Sequence, residues 1–463
     1  MSPLAADAVV SAAFFSFLYL LQKTANNVIM FLSLLFEGRY SLKGDFVLKK
    51  SNVLRRIGII VGSIFIAVML IWLIFAVANA IYRGNMKKYI DNYGKVEYEN
   101  QITPNLDERG NYYFTTDGDF KVMQLTDVHI GGGFLFSGGD KKAIHAVASM
   151  IEVEKPDLVI VTGDISYTVP WCGTLNNATA HGFFKRLMEN LGVYWTVTFG
   201  NHDSEKYNLH DRAAVAEMYS DPTLKYCLFS AGREYIFGEC NHVINIKDSQ
   251  GLVTSSFIMI DSNAYTDKDV FGLGWDYDNV HEDQIAWYRE NIEYYTEENR
   301  RILVKSLGEG IDPSAFKVNP VTSYIYMHIP PEEMKTAYNE AVKGDISDTE
   351  KYGIVGEDGQ VVYCSAYPDN FFETVVELGS TKGIFFGHDH LNSLHLTYKG
   401  VLLSYGCSID YSAYAGSTGY QRGCTLLTLK KNGYTELRHS NYYSGLYDNL
   451  NDKVDMTLPE MYR

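Results

Sequence analysis

The sequence predicts an α/β protein of mixed β-sheets with helices outside them, placed after one N-terminal transmembrane helix. Three observations lead there. Five short apolar runs each stop at a small polar cluster, helical patterns alternate with those runs, and one segment near the amino terminus is apolar for longer than a soluble domain needs.

That segment is Ile57–Tyr82, which holds no ionisable group before its terminal phenol. It exceeds the ~20 residues that cross a bilayer's hydrocarbon core. Ala78-Asn79-Ala80 matches the small-residue pattern of a signal-peptide cleavage site, but the long stretch ahead of the segment favours a retained anchor. An earlier apolar stretch, Ala8–Phe36, is interrupted by Gln22, Lys23, Asn26 and Asn27; it reads as an additional span, an interfacial helix or a packing partner of the first. Arg39, Lys43, Lys49, Lys50, Arg55 and Arg56 lie between the two stretches. Basic flanks stay cytoplasmic, so Asn111–Arg463 is expected to be extracytoplasmic, at the plasma or cell membrane, although Arg83, Lys87 and Lys88 reduce the bias. The lipid bilayer is thus an expected partner. The expected organisation is an amino-terminal segment 1–56 with a possible further membrane helix at 8–36, the transmembrane helix 57–82, a polar tether 83–118, a catalytic domain 119–440 and a polar tail 441–463.

Within the domain the apolar runs Phe120–Leu125, Leu158–Thr162, Val193–Thr198, Tyr324–Met327 and Gly383–Phe386 read as buried strands. Helical patterns at Asp140–Glu154, Gly182–Asn190 and His281–Tyr295 alternate with them, and His395–Thr397, Val401–Ser404, Thr425–Leu429 and Thr435–Arg438 follow as further strands. Just past the first five strands come Asp127-Val-His129, Gly163-Asp164, Gly200-Asn201-His202-Asp203, His328 and Gly387-His388-Asp389-His390. Open α/β sheets place their sites at such carboxyl ends. Oxygen and imidazole donors suit Mn, Fe, Zn or Co rather than a thiolate-selected metal. Two divalent ions against two aspartates leave positive charge for a phosphate and a hydroxide, and metal-bound water ionises near pH ~7.

This ordered series, D-x-H, G-D, G-N-H-D, H and G-H-x-H, resembles the calcineurin-like metallophosphoesterase superfamily. The resemblance implies a four-layer αββα sandwich of two mixed sheets flanked by helices, and hydrolysis of a phosphomonoester or phosphodiester by a hydroxide held between two divalent metal ions. It also implies roles. Asp127, His129 and His390 bind the first metal, Asp164 bridges, and Asn201, His328 and His388 bind the second. His202 acts near the leaving group, as its best proton donor; Asp203, adjacent in sequence, is expected to orient the ring or raise its pKa.

Gly163-Asp164-Ile165-Ser166-Tyr167 departs from the protein phosphatase branch, which carries an acid at the last position. The G-D-x-x-Y string resembles purple acid phosphatases, whose tyrosinate binds ferric iron, but those lack a histidine at the place of His129. Both departures argue against a protein phosphatase proper. They leave Tyr167 as a possible iron ligand and an iron-containing acid phosphatase as one alternative. The other is a metal-retaining but inactive binding module at the cell surface. His210 and His281 follow site loops as candidate substrate contacts, and Trp171, Tyr207, Tyr265, Trp275 and Tyr277 lie on loops expected to wall the cleft. With 40 basic and 56 acidic residues the chain carries a formal charge of −16, which disfavours generic nucleic-acid binding. Six cysteines without a CxxC pair make a zinc knuckle unlikely and leave disulfides open, and Asn177-Ala-Thr179 is a lone glycosylation sequon.

Overall fold

The structure is a computed structural model describing residues 44–267, 275–308, 316–344, 353–357, 359–414, 421–450 and 452. The apolar stretch Ala8–Phe36 lies outside the described residues, as do 451 and 453–463 of the expected tail. Two compact units divide the chain, Met1–Ile74 and Phe75–Arg463. The helices are Gly44–Ile90 (α1), Ser137–Glu154 (α2), Asn177–Leu191 (α3), Arg212–Tyr219 (α4), Glu282–Leu307 (α5), Glu332–Lys343 (α6) and Phe371–Leu378 (α7). The strands of the first half are Asn105–Leu106 (β1), Tyr112–Thr115 (β2), Phe120–Leu125 (β3), Leu158–Thr162 (β4), Trp195–Thr198 (β5), His242–Lys247 (β6) and Val253–Met259 (β7). Those of the second half are Tyr265–Asp267 (β8), Trp275–Tyr277 (β9), Ser323–Tyr326 (β10), Thr381–Phe386 (β11), His395–Tyr398 (β12), Val401–Tyr405 (β13), Gly423–Leu429 (β14) and Thr435–Asn441 (β15).

Two large mixed sheets result. One runs β1-β2-β6-β7-β10-β11-β13-β12 and the other β15-β14-β3-β4-β5, with a separate β8-β9 ribbon. Side chains alternate between faces along a strand, and that alternation sorts the apolar runs into three cores. Phe120 and Val122 of β3, Leu158 and Ile160 of β4, Phe257 and Met259 of β7, Tyr324 and Tyr326 of β10 and Phe385 of β11 meet between the sheets. Met123, Leu125, Val159 and Val161 turn the other way, onto Ile144, Val147 and Ile151 of α2 and Phe184 and Leu187 of α3. Ile258, Ile325, Ile384 and Phe386 pack on Tyr288 and Ile292 of α5, Met334 of α6 and Phe372 of α7. Both faces of each sheet are covered, which is why these runs are almost wholly apolar. This is the expected four-layer sandwich.

Residues 83–118 do not form the expected tether. α1 continues to Ile90, and Met86 and Ile90 are fully buried in the core that holds α2 and α3. Val96 N donates to Leu191 O at 2.9 Å, and β2 pairs in parallel with β6. The apolar residues here are sparse and buried one at a time by distant partners, so no local period betrays them. Among the described residues, α1 supplies the one stretch long and apolar enough to cross a membrane, Ile57–Ile90. All six cysteines are free thiols, with Cys172, Cys240, Cys407 and Cys424 buried.

Candidate metal centre

β3, β4 and β5 are parallel neighbours, as are β10 and β11. Their carboxyl ends therefore open on one edge, where the chain must turn at once. Asp127, His129, Asp164 and His388 take left-handed φ values of 50°, 53°, 51° and 77°. Each such non-glycine residue costs about 1–3 kcal/mol, a strain found at functional sites. Backbone bonds between the turns hold it: Asp127 N to Gly163 O (3.2 Å), His129 N to Asp164 O (3.0 Å) and Gly387 N to His328 O (3.0 Å). Two glycines are there for space. A Cβ on Gly387 would collide with Thr126 Oγ1 and lie 2.7 Å from Asp127 Oδ2. Gly163 has φ +81°, and a Cβ there would lie 2.5 Å from Gly200 N and 2.6 Å from His328 Nδ1. Gly163→Ala is therefore expected to destabilise the metal-free protein by about 3 kcal/mol, combining left-handed strain with the clash. Denaturant unfolding in chelator measures this; an unchanged midpoint would contradict it.

Asp127, His129, Asp164 and His390 each present a donor atom within 4.8 Å of the others, all buried. His129 Nε2 lies 3.5 Å from Asp164 Oδ2, and His390 Nε2 lies 3.5 Å from Asp127 Oδ1. On the other side of Asp164, His328 Nε2 lies 3.2 Å from its Oδ2 and 3.2 Å from Asn201 Oδ1. The His388 ring stands 5.2 Å from that of His328, and its backbone N donates to Asp127 Oδ1 at 3.3 Å.

Three features fit this cluster to cations. Asp127 Oδ2 is buried with no hydrogen-bond partner among the described residues. Three histidines have Nδ1 engaged elsewhere, His129 and His390 on Asp410 (3.2 and 3.1 Å) and His328 on Thr162 O (2.8 Å), which leaves each Nε2 for the cluster. Finally, the buried acids demand positive charge. Burial pushes Asp164 up, yet His328, His202 and His129 outweigh it and hold the carboxyl well below its usual range. Asp410 is likewise held low by His129 and His390 against its burial. In return, and against their own burial, His129 is pushed up to about 10 by Asp410 and Asp164, and His328 to about 9 by Asp164. A cation supplies the same charge in place of those protons.

Around the donors the roles differ from expectation at two places. Asp203 does not meet the His202 ring. Its buried carboxylate accepts from Asp164 N (2.9 Å), Gly200 N (2.9 Å) and Ser166 N (3.0 Å), clamping two of the turns together. The group on His202 Nδ1 is Glu205 Oε1, at 2.7 Å, and Tyr265 OH joins Glu205 (3.1 Å) to Asn201 Nδ2 (2.6 Å). Adjacent residues of a turn point apart, whereas positions three apart along the His202–Ser204 turn stay on one side. Asp410 was missed as well. It follows β13 and accepts from Ser412 N, Ala413 N and Tyr414 N at 2.7, 2.9 and 2.8 Å.

An open cleft of about 440 Å³ leads to the cluster, lined among others by Tyr167, His202, Tyr277, His388, His390 and Tyr414. Tyr167 stacks on the His129 ring at 4.7 Å, and burial followed by Asp410 pushes its phenol up. Tyr277 meets His388 edge-on at 4.5 Å. Trp171 is instead two-thirds exposed on a separate turn. His210 has its backbone tied to Asn177, and His281 caps α5 and stacks on Phe237 at 3.7 Å. His145, His242, His395 and His439 are engaged away from the cluster. Asn177 of the sequon is fully buried and brackets the site loop, donating to Asp203 O (2.9 Å) and His210 O (2.8 Å).

A family model for calcineurin-like phosphoesterases matches residues 120–392. The chain is similar to an Arabidopsis thaliana protein named probable inactive purple acid phosphatase 14, 28% identical over 67% of this chain and 75% of the relative. It is also similar to the Saccharomyces cerevisiae phosphatase DCR2, 25% identical over 63% of this chain and 48% of the relative. Among solved structures it is similar to a dimetal phosphatase from Danio rerio, at 10% identity and a TM-score of 0.41, over 70% of this chain and 96% of that one.

Proposed function

Because this chain belongs to the calcineurin-like phosphoesterase family, we propose that it hydrolyses a phosphomonoester or phosphodiester with two divalent metal ions, from a domain that α1 anchors to a membrane. The observation that carries the reading is the place of Asp164, with His129 on one side and His328 and Asn201 on the other. Asp127, His129 and His390 would hold one cation, Asn201, His328 and His388 the other, and Asp164 both. When bound, the cations supply charge to the phosphoryl oxygens and acidify a water to make the nucleophile at neutral pH. The chain's own part is orientation and proton delivery. Glu205 fixes His202 through Nδ1 and leaves Nε2 to protonate the departing oxygen. Tyr277 and Tyr414 brace His388 and His390 from the cleft side.

Purified full-length protein in detergent, assayed on p-nitrophenyl phosphate and its bis ester with added Mn or after chelation, tests the activity. Metal-dependent turnover is expected, and its absence on a broad phosphoester panel would overturn the reading. Glu205→Gln carries a sharper expectation. General acid catalysis contributes roughly 10²–10⁴-fold and matters most for poor leaving groups. Alkyl phosphates should therefore slow by about 30-fold, and p-nitrophenyl phosphate, whose leaving group needs little protonation, by less than about threefold. Equal losses on both would deny Glu205 its place behind the acid.

The name of the Arabidopsis relative favours a second reading, a metal-retaining surface without turnover. Here the donor residues and His202 are all in place, which supports the enzyme. In His202→Ala, activity should fall while bound metal stays near the parent's level; a parent already inactive favours the binding surface. The iron reading rests on Tyr167, which lines the cleft and stacks on the His129 ring. A visible charge-transfer band that disappears in Tyr167→Phe would favour it.

Retention of the anchor has structural support. Asn79 and Tyr82 flank the Ala80 cleavage position and are both buried in the Phe75–Arg463 unit. Cutting there would remove a side chain the domain uses. The outward orientation rests on the basic residues ahead of the span.

A further inference from the structure

Two loops carry large exposed apolar side chains beside α1. Leu135, on the turn Phe134–Phe136, is 54% exposed, and Trp171, on the turn Pro170–Cys172, is 67% exposed. Both turns are bound to the last apolar part of the helix. Phe75 meets Phe134 edge-on at 5.2 Å. Asn79 accepts from Phe134 N at 3.1 Å and donates to Gly173 O at 2.7 Å. Tyr82 donates to the buried carboxylate of Asp140, which also accepts from Gly131 N and Gly132 N.

The level of these contacts along the helix is informative. Val77 and Ile81, on neighbouring positions, are 51% and 60% exposed. Charge begins at the half-buried Arg83 and is exposed from Lys87 and Lys88. At 1.5 Å rise per residue, Asn79 lies about 12 Å short of Lys87 along the axis. The loops thus grip the helix where exposed apolar positions give way to charge, the level of a membrane's interfacial layer. Any membrane that surrounds Val77 and Ile81 also meets the two loops.

We propose that Leu135 and Trp171, together with Val77 and Ile81, form a lipid-contact surface that enters the interfacial layer of the bilayer. The proposal rests on the membrane anchoring given above. A lipid occupant fits better than a second protein, because the two loops are bound to the apolar helix itself at Phe75 and Asn79. The surface is also edged by Lys87 and Lys88, which suit phosphate headgroups, and it presents a tryptophan, a residue enriched at this depth. Trp171 is joined by four residues to Tyr167, which lines the cleft. Four residues span at most ~14 Å, so the surface keeps that edge of the cleft close to the headgroups.

The test uses full-length protein in phosphatidylcholine vesicles, with and without bromine on the acyl chains, comparing the parent with Trp171→Phe. The difference between the two emission spectra isolates Trp171 from the other tryptophans. Interfacial side chains sit about 5–10 Å into the headgroup boundary, so shallow bromines are expected to quench roughly half of the Trp171 emission and deep bromines less. Alkaline carbonate extraction is run alongside. Protein retained in the pellet with Trp171 unquenched overturns the lipid surface alone, and the result is the same if a second copy of the chain covers it. Protein released by the wash overturns the anchoring and the surface with it. Metal-dependent turnover equal in parent and variant shows that Trp171→Phe is folded.

Discussion

Replacing Asp164 by alanine is expected to lower turnover by about a thousandfold or more, which is about 4 kcal/mol at 1.4 kcal/mol per tenfold. Asp164 Oδ2 lies 3.5 Å from His129 Nε2 and 3.2 Å from His328 Nε2, a donor atom of each set. The substitution takes a carboxylate from His129 and from His328 at once, and also the acceptor of His202 N, which Asp164 Oδ1 holds at 2.8 Å. Metal binding should fall with activity, and this separates loss of the cations from loss of proton delivery. In the parent, saturating metal at 100 times its dissociation constant adds about 2.7 kcal/mol of stability, so chelation should lower its melting temperature by roughly 5 °C. In Asp164→Ala that difference should vanish. A variant that still gains stability from metal and still turns over would remove Asp164 from the centre.

Asp410 gives the second large effect, although it touches no substrate. Its two oxygens hold Nδ1 of His129 and of His390, both of which would hold the same cation. Loss of such a partner typically costs 10–100-fold in metal affinity. One substitution here disturbs two ligands, so Asp410→Asn is expected to weaken metal binding by about 100-fold, with activity recovered at high metal. Asp410→Ala should be worse in a different way. It also strips the acceptor from Ser412 N, Ala413 N and Tyr414 N, so the half-exposed turn that carries Tyr414 beside His390 loses its anchor. Metal titrations of activity separate the two variants, and an unchanged metal requirement in Asp410→Asn would contradict the assignment.

The strands and the clustering of the candidate donors are legible in the sequence because both leave short local marks. Phe120–Leu125 and Leu158–Thr162 have the observed limits, since strands buried on both faces are continuous apolar runs and the polar turn marks their ends. The missed features are those made by distant pairing. β2 is four residues long, and beyond the two-residue β1 its partner comes only at His242–Lys247. Asp410 lies far along the chain from His129, and its one signal is an acid soon after the strand Val401–Tyr405, the same rule that locates the donors. Glu205 was visible as an acid three residues after His202. Asp203 is the nearer acid in sequence, but adjacency is not contact, and the short turn sends the two neighbours to different sides.

Asn177 carries a last consequence. Its amide bonds both Asp203 O and His210 O, and the side chain has no exposed surface. A sugar attached to that nitrogen needs open solvent, so the folded site and an occupied sequon exclude each other. In a compartment where glycans are added, the domain must close around Asn177 faster than the transferase reaches it. Otherwise the modified chain is lost to the native state. Occupancy at this one asparagine is then a tally of failed folding, and every glycosylated molecule should be found in the inactive fraction.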